Sequence, residues 1–542
     1  MRSATKLLAL PVLLATIFVP LVALAQDAPS GRVVLVLPFE NRSGNASLNW
    51  IGDSFPDTLN KRLTSAAFLT ISRDDRAFAL DHLGLPPGFK PSRATTIRIA
   101  QQLDANYVLV GSYNVQKSAG DGTTDRISIQ AQVLSVDELR LSPPVTDSAD
   151  LSRLFDGENA IAWELARVLD PHFAVSEQTF LAAPGSVPLP AFEDYIRGDN
   201  ATTDAERLKR LQAAVGLAPD YAAALLSLGK AQYADRDFEA AAATLAKVAA
   251  TDRLAIEANF YLGLARFNSA HYAAAQQAFD FVATRLPLPE VVNDEAVALS
   301  RQGKNGVGLF QRASNADPTD EDYHYNLAVA LFRNGDTAGA TREADSALKL
   351  KPADHEAIEL RDRLKTAPAG SRLDSNAVNA ANGFSPLERI RRNYSEAGFR
   401  QAAFQMDQLR AARMAMLPPD KRAAEYTQLG RDYLAQGLLP EAETQFQSAL
   451  SADPNSPAAH AGMAQVSEAS GDAAKARDEA KTSLIMQTNV PALLVLARLD
   501  LAGKQFSAAD DDVARALQLE PANAQAIALR LSLQQREKNI RP

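Results

Sequence analysis

The chain is 542 residues long and carries 56 Lys and Arg against 65 Asp and Glu, a formal net charge of -9 with a pI of about 5.4. That balance offers no basic surface for nucleic acid or anionic lipid. There is no cysteine, which excludes disulfides, thiolate metal sites, thiol catalysis and a lipid-modified N-terminal cysteine.

At the N-terminus, Arg2 and Lys6 precede an apolar run from Leu7 to Leu24, broken by Pro11 and Pro20 and ending in Ala23-Leu24-Ala25 before Gln26. This is the layout of a cleavable secretory signal over residues 1–25, so the mature chain is expected to begin at Gln26, in the periplasm or secreted. No other stretch is long and apolar enough to span a bilayer, and membrane contact is expected to be indirect or peripheral.

Residues 26–181 read as an α/β domain with a mixed sheet. Arg32 to Glu40 (RVVLVLPFE) is a β-branched apolar run, the pattern of a strand buried on both faces. Trp50 to Ala67 spaces Ile51, Phe55, Leu59 and Leu63 four apart, which predicts a helix on that strand, with Pro56 tolerated only in its first turn. A strand at Phe68–Ser72 and helices at Arg76–Leu83 and Ala94–Leu103 follow. Tyr107–Val115 and Ile127–Val136 read as a hairpin, then come a strand near Leu139–Thr146 and a helix at Leu151–Leu169. Residues 182–190 (AAPGSVPLP from Ala182) form a proline-rich linker.

Beyond it, residue types recur at a spacing of 34: Gly229 and Gly263, Ala241 and Ala275, Leu245 and Phe279, Val248 and Val282, Phe238 and Tyr272. Each unit needs two antiparallel helices whose closest approach admits only a small residue, and units must stack to bury their apolar stripes. Further copies centre on Leu327-Ala328, Leu429-Gly430, Met463-Ala464 and Leu496-Ala497, with weaker ones at 188–219, 288–318 and 385–418. The last lacks the Leu-Gly pair and is expected to be at most a plain helical hairpin. With period and small residues in register, the region resembles the tetratricopeptide repeat family, which implies an all-α superhelical solenoid. Residues 366–384 break it into a proximal half, 191–365, and a distal half, 385–542, expected to flex against each other.

A second resemblance rests on VLPFENRSGN at Val36–Asn45, Ile51-Gly52-Asp53, Ile71-Ser72-Arg73, Ile99-Ala100 with Leu103, and Tyr107–Ser112. Together these look like the TolB amino-terminal-like domain, related to FlgO-type envelope domains. The resemblance implies a location in the cell envelope and a domain that often precedes such repeats.

No catalytic, cofactor or metal site is expected. The six histidines, His82, His172, His271, His324, His355 and His460, stand singly, without the pairing or acidic neighbour of a zinc site. Gly84–Lys90 (GLPPGFK) is too short and too proline-rich for a phosphate loop, and no Gly-x-Ser-x-Gly elbow occurs. What the repeats offer is a groove lined by the first helix of each pair. Its partner-binding residues are expected at Leu226, Tyr233, Phe260, Leu264, Phe267, Tyr325, Val329 and Phe332, an apolar strip for a peptide or helix. The sequence therefore points to a non-enzymatic scaffold or adaptor of the bacterial cell envelope, binding proteins or peptides and neither nucleic acid nor a small-molecule substrate. The alternatives are a regulatory subunit that activates a cell-wall synthase or an outer-membrane assembly, and an enzyme with an unrecognised site in the α/β head.

Overall fold

The structure is a computed structural model, which describes residues 33–86, 91–117, 125–182, 187–373, 386–392 and 409–540. The expected signal, most of the hairpin turn and parts of both linkers lie outside them.

In the head, β1 (Val33–Val36) is central and parallel to both β3 (Leu69–Thr70) and β4 (Tyr107–Gln116). β4 pairs antiparallel with β5 (Arg126–Ser135), Tyr107 opposite Ser135, and β5 pairs with β6 (Arg140–Leu141) and β7 (Val145–Asp150). A short β2 (Glu40–Asn41) adds to β4. The alternation along β1 divides the core. Val34 and Val36 face a cluster containing Ile51, Phe55 and Leu59 of α1 (Asn49–Ser65) and Ile161 and Leu165 of α4 (Leu154–Leu169). Leu35 faces the opposite side, with Ile99 of α3 (Arg93–Gln102) and Leu80 of α2 (Arg73–His82). A strand hydrophobic on both faces thus becomes the middle of a three-layer head.

Two local expectations need correction. Pro56 lies in the second turn of α1, where it removes the hydrogen bond to the carbonyl of Gly52. That carbonyl accepts the Phe39 N–H at 3.0 Å instead, and a Cβ on Gly52 would meet Phe39 O at 2.3 Å, so glycine and proline are accommodated together. The single strand near Leu139–Thr146 is in fact β6 and β7, separated at Pro143-Pro144, which have no N–H for a ladder.

The helical region begins with α5 (Glu177–Leu181) and continues as antiparallel pairs: α6 (Leu189–Asp199) with α7 (Asp204–Leu217), α8 (Ala222–Ala234) with α9 (Phe238–Leu245), α10 (Ala255–Asn268) with α11 (Tyr272–Ala283), α12 (Pro289–Arg301) with α13 (Val307–Ala316), and α14 (Glu321–Asn334) with α15 (Thr337–Leu350). α16 (His355–Thr366) covers the last of these. A distal array follows, pairing Pro419–Ala435 with Leu439–Ala452, Pro457–Ala469 with Ala473–Met486, and Val490–Ala502 with Phe506–Leu519, before a final helix at Ala524–Ile540. In three pairs a glycine of the first helix faces a large residue of the second: a Cβ on Gly229 would sit 2.4 Å from Leu245, one on Gly263 2.6 Å from the Phe279 ring, and one on Gly430 2.7 Å from that of Phe446. Both phenylalanines are fully buried, a burial worth about 1.5–3 kcal/mol each.

The arrays do not swing freely from the head. Phe192, Tyr195 and Leu211 share the core of α1 and α4, and Tyr195 Oη donates to Asp57 at 2.8 Å. The distal array touches the head and the proximal array as well. Glu443, buried, accepts from Ser176 Oγ at 3.1 Å and from Lys475 Nζ at 3.0 Å, and Arg253 of the proximal array pairs with Glu441. A carboxylate sunk in an interface is costly to leave without its partners, which ties the three parts together.

Glu158 on α4 is also fully buried, accepting from Ser54 Oγ and from Thr58 Oγ1 at 2.6 Å. Burial outweighs those bonds and pushes its pKa from 4.5 to about 7. The folded head therefore holds this proton more tightly than the unfolded chain, so the stabilisation is fully present below pH 4.5 and is lost as pH rises through about 7. Both tryptophans, Trp50 and Trp163, lie in the head, so tryptophan fluorescence reports unfolding of the head and of the first repeat that shares its core. Between pH 4.5 and 7 the wild-type head is expected to lose up to about 3 kcal/mol from this group, and Glu158→Gln to flatten that dependence. For the helix pairs, Gly263→Val is expected to lower the urea midpoint by the equivalent of about 1–3 kcal/mol. Gly216→Ala, whose Cβ would meet nothing within 4 Å, should raise it by up to about 1 kcal/mol.

Candidate functional site

Residues 386–392 (Pro-Leu-Glu-Arg-Ile-Arg-Arg) are not part of a helical hairpin. They run without regular secondary structure along the proximal array, against side chains of α12, α14 and α16. The first helices of successive pairs thus line a groove, and the groove holds this segment.

Its backbone is met group by group. Arg389 N–H donates to Asn326 Oδ1 at 2.6 Å, and Arg389 O accepts from Asn326 Nδ2 at 2.8 Å and from Asn293 Nδ2 at 3.1 Å. Asn326 Nδ2 also donates to Asn293 Oδ1 at 2.8 Å, linking the two amides. Two residues on, Arg391 N–H donates to Asp294 Oδ1 at 2.8 Å. Burial pushes the Asp294 carboxyl well above the usual range, against the pull of the Arg391 amide and Asn293. Asn293, Asp294 and Asn326 are all fully buried. Asn259 holds the equivalent place one pair upstream, its Nδ2 on Ala255 O at 2.7 Å.

The side chains are sorted by charge. Glu388, its carboxylate shut away from solvent, meets Arg301 Nη1 at 2.8 Å, Arg333 Nη1 and Ser300 Oγ. Arg333 also reaches Pro386 O at 3.0 Å. Arg389 pairs with Asp354 through both terminal nitrogens, at 2.6 and 2.8 Å, with Asp322 at 2.7 Å and with Glu356 at 2.6 Å, and lies over the Tyr325 ring at 3.9 Å. Burial pulls the Arg389 pKa down, but the hydrogen bonds of Asp354, Asp322 and Glu356 outweigh it and leave it raised. The same Arg389 contact holds the Asp354 carboxyl below its ordinary value. Arg391 pairs with Asp320 and lies 5.4 Å over the Tyr323 ring. Ile390 packs against the clusters that contain Phe260 and Leu264, and Phe310 and Leu327.

The eight residues expected to bind a partner divide between seam and groove. Phe260, Leu264 and Val329 are fully buried among helices, and Leu226 joins Leu225, Leu245 and Leu262 in another buried cluster. Phe332 is buried beside Tyr325, while Phe267 and Tyr233 are half-buried. Tyr325 lies directly under Arg389, and Phe267 lies 6.0 Å from the guanidinium of Arg301, which grips Glu388. Burial raises the Tyr233 hydroxyl, and the charge of Arg392 offsets part of that. The polar residues that hold the backbone, Asn293, Asp294 and Asn326, are absent from the expected strip. Asparagine at 259, 293 and 326, at spacings of 34 and 33, is the signal that marks them.

Three histidines have acidic partners after all: His271 Nδ1 lies 3.7 Å from exposed Glu239, and two more are closer. His324 Nδ1 meets Glu343 at 2.7 Å and His460 Nδ1 meets Glu479 at 2.6 Å, while each Nε2 reaches a proline carbonyl six residues back. These bonds tie the two helices of a pair and the preceding loop. Among the described residues no group of three or more His, Asp or Glu is arranged to hold a metal ion, and no helix is long and apolar enough to cross a membrane.

The tetratricopeptide repeat profile matches residues 293–355 and 427–489, one stretch in each array. Those two stretches carry tetratricopeptide repeats. Among solved structures that the chain is similar to, YrrB, described as a tetratricopeptide repeat protein with an unusual peptide-binding site, is 15% identical, with 37% of this chain and 98% of that one covered and a TM-score of 0.28. MamA residues 41–end from Desulfovibrio magneticus RS-1 is 17% identical, covering 34% of this chain and 99% of that one, TM-score 0.28. The LpoB C-terminal domain from Salmonella enterica is 23% identical, covering 23% and 87%, TM-score 0.18. No curated protein matches the sequence. The repeat residues Asn293, Asp294 and Asn326 fall within the first matched stretch.

Since Asn326 meets both polar groups of Arg389, Asn326→Ala leaves the N–H unpaired and the carbonyl with Asn293 alone, and should loosen residues 386–392. Limited trypsinolysis of the full chain, followed by mass spectrometry, is expected to show cleavage after Arg389 at least about tenfold faster in Asn326→Ala than in wild type, as local opening costs less.

Proposed function

We propose that this protein is an exported, non-enzymatic adaptor of the bacterial cell envelope, which presents its proximal repeats to extended segments of partner proteins. One observation carries the reading: the groove meets the backbone of an unstructured heptapeptide through Asn293, Asp294 and Asn326 and meets its side chains through paired charges. Backbone contacts of this kind supply affinity for any extended chain, and the flanking pockets supply selection. The α/β head, whose strand and helix order follows the motifs at Val36–Asn45 and Tyr107–Ser112, is read as a TolB amino-terminal-like domain. Together with the signal-like residues 1–25 it supports an envelope location. The head, sharing its core with the first repeat, fixes the groove relative to whatever the head docks on.

Full-length protein immobilised in an envelope extract is expected to retain partner proteins. The bait carrying Asn293→Ala and Asn326→Ala should lose most of them, by at least about tenfold for a groove-bound partner. A retained set that the double substitution leaves unchanged contradicts the groove reading. N-terminal sequencing of the protein recovered from periplasmic or secreted fractions should begin at Gln26; an intact Met1 in a membrane fraction contradicts export with cleavage.

A further inference from the structure

The groove is filled by its own chain, and the manner of filling describes what else it takes. Residues 386–392 are not an anonymous strap. Glu388 is enclosed by Arg301, Arg333 and Ser300 at one end of the groove. Arg389 and Arg391 enter a wall of carboxylates formed by Asp320, Asp322, Asp354 and Glu356. Ile390 occupies the apolar gap between them. The groove is therefore polarised, cationic where Glu388 sits and anionic where the arginines sit, with asparagines gripping the backbone through the middle. A peptide entering in the same direction has to present an acidic residue, an arginine, a branched aliphatic residue and a second arginine. Reversing the signs would set arginine against Arg301 and Arg333, and glutamate against four carboxylates, each like-charge contact being unfavourable in a buried site.

We propose that residues 386–392 are a built-in occupant of the peptide groove and that the partner is an extended protein segment with the same pattern, acidic–Arg–aliphatic–Arg, which binds by displacing it. The proposal deepens the adaptor reading and rests on it. An occupant tethered in the same chain is present at high effective concentration, so a free peptide sees only the fraction of molecules whose groove is open, and its apparent affinity is reduced by that fraction. A natural partner overcomes the tether by contacts beyond the heptapeptide. Asn259 stands one repeat upstream of Asn293, at the equivalent place on its helix, and a longer segment can continue along that row.

The test uses the full chain and a fluorescein-labelled peptide Pro-Leu-Glu-Arg-Ile-Arg-Arg, read by anisotropy. Wild type should bind it weakly. The variant Glu388→Ala with Arg389→Ala, altered only in the occupant, should bind at least about tenfold more tightly because its groove is open. Adding Asn293→Ala and Asn326→Ala should remove that gain, and a charge-reversed peptide, Pro-Leu-Arg-Glu-Ile-Glu-Glu, should not bind. If the double variant loses helical content by circular dichroism, Arg389→Ala alone, which leaves the Glu388 pairs in place, is read instead, with the same sign expected. A released variant that keeps its helix content and binds no more tightly than wild type overturns the proposal. So does a wild-type dimer that the release substitutions convert to monomer, since the segment would then fill a second copy's groove. The peptide assay contains no partner protein, so its failure leaves the adaptor reading standing. Failure of capture from extract equally leaves the peptide result standing.

Discussion

A stretch of backbone held against protein has to have its amide and carbonyl met, and Asn326 meets both on Arg389 with the two ends of one side chain. That reciprocal contact is the condition on which the groove works. An amide side chain carries a donor and an acceptor at a fixed separation, matching a peptide unit in extended conformation. Asn293 adds a second donor to the same carbonyl and is itself oriented by Asn326. Each such bond is worth only about 0.5–1.5 kcal/mol net, but leaving a buried partner unmatched costs more. Extended backbone meets the buried amides of Asn293 and Asn326, and its loss would leave them without those partners.

The helix pairs make that contact possible. Asn293 and Asn326 lie on neighbouring first helices, and both can reach Arg389 O only if those helices sit close and in register. Register comes from the buried cluster of Ala296 and Val297 on α12, Phe310 on α13 and Leu327 and Ala330 on α14, from the Arg333 Nη1 bond to Ser300 Oγ at 2.6 Å between the two first helices, and from the His324 bridge to Glu343. Once the asparagines fix the backbone, selection falls to the charges around it. Removing one partner from a buried group such as Glu388, held by Arg301 and Arg333, is far more costly than the pair is stabilising. Hence the charges act chiefly as a filter on sequence.

Much of the architecture is legible in the chain because its signals are periodic. The doubly apolar run Val33–Val36 becomes the central strand between two helical layers, and a spacing of 34 locates the helix pairs. The groove is harder to read. Phe260, Leu264 and Val329 recur with the repeat but fall in the seams, since a period says that residues are equivalent without saying which side of the helix is covered by the next pair. Tyr325, three residues from Ala328, does face the groove and lies under Arg389. Asn326, beside it, does not belong to the apolar pattern; it belongs to a polar row at 259, 293 and 326, of which Asn293 and Asn326 hold the segment. The occupant is illegible for another reason. Pro386–Arg392 has no period and no turn pattern, and its conformation is imposed by residues 60 to 100 positions away, as in Asn326 to Arg389 and Asp294 to Arg391.

The central claim is that residues 386–392 lie in the proximal groove with their backbone bonded to it. Hydrogen exchange on the full-length protein, resolved to single amides, tests this most directly. The Arg389 and Arg391 amides should exchange at least about a hundredfold more slowly than the same sequence as a free peptide, since both donate to buried acceptors. Exchange of both amides at the free-peptide rate would contradict the account.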